Sequence, residues 1–547
     1  MEHLSHKRKM TIMIAIMAAM FFAAINQTIT STAMPRIIAI LNGMELYTWT
    51  INIYMLTSTI ATVLVGKLSD MFGRKPFLLI GILFFILGAF LTGTSNDVYQ
   101  FIFYRGIQGI GAGIIQSTAF TAVGDLFPPR ERGKWMGMMM AVFGFSSVLG
   151  PTLGGYLVDH LDWHWLFWVF LPLGVVAFFM ILSLFPKVER GAKQSVDYLG
   201  SLFLTTTIVP LLLAFSWAGS QHPWGSARIL GLLGASLVSL LIFIWVETKA
   251  KSPILPLSLF KNSIVTISNI IGFIMNFGMM GAMIYLSFFV QGVLGITPTY
   301  AGYVTMPMSI VMVVASSMAG QLMAKKGKYK RYAMLGIPLM IAGMAIMIFM
   351  NSVWLAVVSM IVFGLGLGLG MPVFSLATQN AVPHTELGVA TASSQLFRNL
   401  GGTIGIAVMG TVMSNTLGTH LKEALASPNA PDLSKVDPAL AKQMLSFANP
   451  QALMNKPLLE QTQASLPTDV QPLFTQMIDN IREALGASLS TVFLAGTLTL
   501  ATAFILVFFL KEIPLRTTNQ AKPKPAEAES EKPLEEPGTL ALPLERA

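Results

Sequence analysis

Apolar runs of about twenty residues, each closed by a short polar segment, succeed one another along most of this 547-residue chain. A helix that crosses a bilayer needs about 20 such residues. Windows of that kind fall at 11–33, 48–66, 77–95, 100–123, 135–158, 166–185, 199–217, 227–246, 263–290, 302–324, 333–350, 354–377, 388–414 and 487–510. The pattern predicts an all-α integral membrane protein with 14 transmembrane helices, both termini on one side. From residue 248 to residue 385 there is no Asp or Glu. A soluble domain of that length needs acidic residues on its surface, whereas a charge at the centre of a bilayer costs at least a few kcal/mol.

Composition agrees: 54% of residues are hydrophobic and 11% charged, with 36 Phe, 35 Met and no Cys. Without cysteine there is no disulfide framework, thiolate nucleophile or Cys-ligated metal. The net charge of +9 is explained by sidedness rather than by nucleic acid. Segments on the side of the amino terminus carry Lys7, Arg8 and Lys9; Lys67, Arg74 and Lys75; Arg130, Arg132 and Lys134; Lys187, Arg190 and Lys193; Lys249, Lys251 and Lys261; and Lys325 through Arg331. The short opposite loops carry Arg36 and Arg228. This asymmetry predicts a multi-pass protein of the plasma membrane with both termini cytoplasmic. The first span is too long for a secretory signal, lacks a clear cleavage site and is followed by further spans. Residues 415–486 are expected outside, between the last two spans, with 436–448 and 473–485 as short amphipathic helices. The Pro-, Glu- and Lys-rich tail 511–547 is expected to be disordered.

The loop Gly66-Lys67-Leu68-Ser69-Asp70-Met71-Phe72-Gly73-Arg74-Lys75 has a counterpart in Gly320-Gln321-Leu322-Met323-Ala324-Lys325-Lys326-Gly327-Lys328-Tyr329. Gly, Leu, Gly and basic positions coincide at a constant offset, with Ala324 where Asp70 stands. Repeated halves are the usual plan of secondary transporters, with the substrate site near the midplane between them. The arrangement predicted is 6 + 2 + 6: a bundle over 1–198, two inserted helices with their linker over 199–262, and a second bundle over 263–510.

Three local patterns carry candidate chemistry. In the first loop, Gly66 and Gly73 permit close approach and a tight turn, Asp70 is suited to a helix amino terminus, and Arg74 to a carboxylate. The fourth span reads Arg105-Gly106-Ile107-Gln108-Gly109-Ile110-Gly111, a helix-packing pattern with an arginine inside apolar surroundings. No strand precedes it and no Gly-x-x-x-x-Gly-Lys-Ser/Thr occurs, so neither nucleotide nor other cofactor is expected. In the fifth span Gly144, Gly150, Gly154 and Gly155 surround Pro151, whose missing N–H makes it a bend or hinge.

Together these motifs resemble the major facilitator superfamily, and within it the fourteen-span drug:proton antiporters. The resemblance covers spans 1–14 and includes Asp197-Tyr198-Leu199-Gly200 before the seventh span and Ser394-Gln395-Leu396-Phe397-Arg398-Asn399-Leu400-Gly401-Gly402 in the thirteenth. It implies that Asp70 meets the amino-terminal end of span 13, that Arg74 pairs with Asp125, and that Arg105 takes part in proton coupling. One departure matters. Where the family usually has an Asp in the first span, this chain has Asn26, which hydrogen-bonds but does not titrate.

The function so implied is proton-driven export of amphipathic small molecules by alternating access; the alternative is a dedicated exporter of one endogenous lipid or metabolite. The expected cavity is lined by Asn26, Gln27, Tyr54, Gln116, Phe145, Asn276, Gln395 and Arg398 among adaptable Met and aromatic side chains. An enzyme is not expected: the histidines sit at termini, loops or helix ends, and neither a carboxylate pair nor a metal-ligand cluster lies in the apolar spans.

Overall fold

A computed structural model describes residues 4–41, 46–186, 195–219, 221–296, 298–426, 440, 453, 456–468 and 470–515. Every apolar window is helical over nearly all of its length, as it must be where no water is present to satisfy backbone N–H and C=O groups. The helices are α1 (His6–Ile40), α2 (Tyr47–Phe72), α3 (Arg74–Thr92), α4 (Val98–Leu126) and α5 (Pro129–His160). The sixth span is divided into α6 (Trp165–Trp168) and α7 (Leu171–Leu184). There follow α8 (Tyr198–Trp217), α9 (Ala227–Lys249), α10 (Ser263–Phe288, prolonged by a π turn to Val293), α11 (Pro298–Lys326), α12 (Lys330–Ile348) and α13 (Val353–Ala381). The chain continues with α14 (Leu387–Ala426), α15 (Lys456–Ser465) and α16 (Gln471–Phe509). Among the described residues, thirteen segments are long and apolar enough to cross a membrane. The remaining expected span, α4, carries Arg105, Gln108, Asp125 and several glycines, yet most of its length is buried. Asp97, Asp197, Ser226 and Asn262 cap α4, α8, α9 and α10 through side-chain oxygens that accept backbone N–H bonds.

Helix pairing repeats between the halves. In the first, α1 packs on α5 and α7, α2 on α4, and α3 on α4 and α7; in the second, α10 packs on α14 and α16, α11 on α13, and α12 on α13 and α16. Both repeated loops carry a glycine of positive φ, Gly73 at +88° and Gly327 at +66°, which glycine adopts at no steric cost. The halves meet along two seams, α2 against α14 and α5 against α11. The pair α8–α9 lies beside the first seam: Asn52 of α2 donates to Ser216 of α8, Trp49 packs edge-on to Trp217, and Trp224 Nε1 donates to Thr411 of α14 at 2.7 Å.

Two expectations for the carboxy-terminal region are corrected. Residues 473–485 are not a separate short helix outside the bundle; they are the first turns of the 39-residue α16. Their apolar stripe (Phe474, Met477, Ile478, Ile481, Leu485) runs without a break into the span, and it is buried in the core of the second half together with Leu453, Leu459 and Leu466. Thus the second part of the 415–486 segment is built into the bundle, and α14 itself runs on to Ala426. The expected helix at 436–448 lies outside the described residues apart from Leu440. The beginning of the tail is also ordered. Tyr329 N and Lys330 N donate to Glu512 Oε1 at 2.9 and 3.2 Å, the Tyr329 hydroxyl donates to Lys511 O, and Leu515 is buried. Residues 516–547, the rest of the expected disordered tail, lie outside the described residues.

Candidate functional site

At the end of the molecule near the amino terminus, a cluster of buried charges ties the halves together. The last turn of α2 delivers Asp70, the positive-φ Gly73 reverses the chain, and α3 begins with Arg74. Arg74 Nε donates to Asp125 Oδ2 at 3.0 Å and its Nη1 to Ser69 Oγ at 2.6 Å, while its Nη2 pairs with Asp70. Asp70 reaches across the seam, Oδ1 accepting from Gly388 N and Oδ2 from Val389 N, each at 3.0 Å. These N–H groups belong to the first turn of α14, where they have no partner within the helix and the helix dipole favours an anion. Close approach depends on small residues: a Cβ on Gly66 would lie 2.3 Å from Ala392 Cβ, and one on Gly388 would lie 2.4 Å from Gly66 O.

The same end carries further ties. His384 Nε2, from the second half, lies 3.3 Å from Asp125 Oδ1. The buried Arg132 donates to the carbonyls of Phe127 and Gly124 in its own half and of Gln379 in the other, and Gln379 Nε2 donates back to Phe120 O. On the second seam, Arg130 donates to Ala324 O at 2.8 Å and Lys325 O at 3.0 Å. Here the counterpart of Asp70 is an alanine, and an arginine meets the last carbonyls of α11 instead.

Helix α5 divides its glycines between two neighbours. Gly144 faces the other half, a Cβ there meeting Val313 Cγ2 at 2.3 Å. Gly150 and Gly154, one helical turn apart, face α1, where Thr28 Oγ1 donates to Ser146 O at 2.9 Å. The side chain of Pro151 and the surroundings of Gly155 lie outside the described residues, although both lie within the helix.

Inside the first half, a polar chain links three helices. Arg105 Nη1 donates to Gln108 Oε1 and Gln108 Nε2 to Asn26 Oδ1, both at 2.7 Å, while the Arg105 guanidinium lies 4.3 Å from the centre of the Tyr54 ring. All four residues are buried, and Arg105 Nε and Asn26 Nδ2 have no hydrogen-bond partner among the described residues. The second polar group lies at the seam: Gln395 Nε2 donates to Gln116 O at 3.4 Å, Asn276 Nδ2 to Arg398 O at 2.5 Å, and the Arg398 guanidinium lies 5.8 Å from the Phe120 ring centre. Gln27 is exposed beside the buried Asn26. Phe145 is not gathered with these residues. It packs on Phe21, which also packs edge-on to Phe170, and 56% of its surface is exposed. Phe21 and Asn26 point about 140° apart around α1 by helical geometry, so Phe145 and the polar chain lie on different flanks of that helix.

The sequence profile of the Major Facilitator Superfamily matches residues 16–406. The chain belongs to the major facilitator superfamily. It is a transporter by family and not an enzyme. The multidrug transporter protein MdtP of Bacillus subtilis is 36% identical over 539 residues, covering 97% of this chain and 98% of the relative. Multidrug resistance protein 3 of the same organism is 31% identical over 517 residues, covering 94% of this chain and 97% of the relative. The crystal structure of the human transporter MFSD10 superposes with a TM-score of 0.59 at 14% identity, covering 90% of this chain and 99% of that one; this likeness shows the shared fold alone.

Within this major facilitator chain, several site residues escaped the sequence reading. Gln108 joins Asn26 to Arg105, but inside a glycine-rich stretch it read as part of a packing motif. His384 looked like a loop residue, because nothing local in the sequence brings it to Asp125. Arg132 was legible only as a loop cation, and Gln379 falls just beyond the 354–377 window; their cross-seam bonds are tertiary.

Proposed function

We propose that the protein exports amphipathic small molecules in exchange for protons, by alternating access, from a plasma membrane with both its termini in the cytoplasm. The observation that carries this reading is the latch: Asp70 of one half holds the first N–H groups of α14 in the other, while Arg74 binds it to Asp125. A charge-assisted hydrogen bond contributes about 1.5–3 kcal/mol, so breaking several together as the halves rock makes a two-state switch. The first seam is joined from mid-membrane, at Gln395 and Asn399, down to this end, which supports a state closed on the latched side. Positive loops make the latched end cytoplasmic. Resemblance to two named multidrug proteins over nearly their whole length supports drugs as the cargo.

Asn26 cannot titrate, so the exchanged proton is carried at Asp70 or Asp125, or by the substrate. Arg105 modulates the site rather than titrating in it. With no carboxylate beside Asn26 or Arg398, dications are poor substrates, because desolvating them without a counter-charge is costly. Drug-susceptibility profiles of cells with and without the gene test the reading. Raised resistance to several unrelated amphipaths, lost on Asp70→Asn at equal protein level, is expected; identical profiles contradict it.

A further inference from the structure

Arg398, half-buried, differs from the buried arginines in what surrounds it. Arg74 has two carboxylates and a hydroxyl, Arg132 a set of carbonyls, and Arg105 an amide oxygen and a tyrosine ring. Among the described residues, the guanidinium of Arg398 has a sulfur contact, Met371 Sδ at 3.8 Å, and the distant face of Phe120. Sulfur is a weak acceptor and leaves most of the five donors unmatched. No ion pair involves Arg398 among the described residues, and no acidic residue occurs from 248 to 385. The arginine is not needed to hold α14 in place through its side chain, since Asn276 grips the backbone carbonyl instead.

The side chain lies in a recess between α10, α13 and α14, formed by Ser268, Gly272, Met275, Met371, Phe374, Ser375 and Ser394 with Arg398 itself. Gly272 matters here, because a Cβ at that position would touch the Arg398 stem at 3.4 Å. A second feature points the same way. Ser268 is 2% exposed and its hydroxyl has no hydrogen-bond partner among the described residues, which is costly for a buried polar group. Arg398 stands three helical turns beyond Leu387, about 16 Å into α14 at 1.5 Å per residue, near the middle of a hydrocarbon core of about 30 Å.

We propose that Arg398 and Ser268 form an anion subsite that holds the carboxylate or sulfonate of an amphipathic substrate, the recess widening from about 10 Å³ as the adaptable Met275 and Met371 side chains shift beside Phe374 to admit its apolar body. An oxyanion satisfies both deficits at once: it supplies the missing counter-charge to the guanidinium fork and an acceptor for the serine hydroxyl. The apolar walls dispose the recess to an amphipath rather than to a small inorganic anion. The assignment rests on the export reading above and adds acidic amphipaths to the neutral ones among its substrates.

The test uses two dyes with one ring system, 8-anilinonaphthalene-1-sulfonate and N-phenyl-1-naphthylamine, which lacks the sulfonate. Full-length protein in phosphatidylcholine nanodiscs is titrated with each, and with sulfate, and binding is read as the rise in thermal midpoint. Arg398→Gln is expected to weaken sulfonate-dye affinity at least about tenfold relative to the uncharged dye. Ser268→Ala is expected to weaken it several-fold, with Arg398→Lys falling between Arg398→Gln and the wild type. Unchanged sulfonate-dye affinity in Arg398→Gln, an equal loss for both dyes, or sulfate stabilising as well as the dye overturns the subsite. If Arg398→Gln does not fold, Ser268→Ala decides by the same ratio. Efflux of the uncharged dye from cells is read separately. Its absence alongside arginine-dependent dye binding overturns export and leaves the subsite standing.

Discussion

At the scale of single residues, Asp70 concentrates the most consequence in the fewest atoms. Its two oxygens take two N–H groups of α14 and one guanidinium, and Asp70→Asn removes the charge and one acceptor. The expected outcome is loss of export with folding and insertion retained, at a cost of about 1.5–3 kcal/mol to the latched state; normal export by the Asn variant, measured as drug resistance, removes this role. Gly66→Ala should act at the same contact by a different cause. Its Cβ meets Ala392 at 2.3 Å, an overpacking of about 1–3 kcal/mol that forces the seam apart, and should lower export without touching a charge. Asn26→Asp tests the polar chain. Gln108 already donates to this side chain and receives from Arg105, so a carboxylate there gains a guanidinium relayed through one amide; the variant should transport a dicationic dye that the wild type handles poorly. The Asp70–Arg74 loop was legible in the sequence because the charge bias that orients a membrane protein accounts for lysines and arginines but not for a lone acid among them. His384 and Gln108 were not, because their partners lie on other helices and no local spacing encodes them.

At the scale of elements, the apolar windows located the long helices but misjudged where the last one begins. Window hydropathy falls at Asp479, Asn480, Arg482 and Glu483, which are exposed or half-exposed, while Phe474, Met477, Ile478 and Ile481 keep the buried stripe. A mean over both faces hides what a helical projection retains. The consequence is a changed expectation for the external segment: replacing 453–486 by a flexible linker should lower the thermal midpoint and abolish export, because it removes Leu453, Leu459, Leu466 and the first turns of α16 from the core. Unaltered stability would show that this packing contributes little. The first residues after α16 behave similarly. Truncation after Leu510 removes the partners of Tyr329 and Lys330 and should destabilise the second half by about 1 kcal/mol for each bond lost, read as a lower thermal midpoint.

At the scale of the whole molecule, a short repeated loop pointed to two equivalent halves, and the helix pairing repeats between them. What the repeat did not reveal is how the halves differ where they meet. One seam closes on a carboxylate at a helix start, the other on Arg130 at a helix end. The central claim is that rocking of these halves couples outward movement of an amphipath to inward movement of protons. Its most direct test is proteoliposomes of purified protein carrying an imposed pH gradient, with uphill movement of N-phenyl-1-naphthylamine followed by fluorescence. The account predicts accumulation that collapses when nigericin dissipates the gradient and is absent with Asp70→Asn; accumulation that persists without any gradient, or no movement under either polarity, would contradict it.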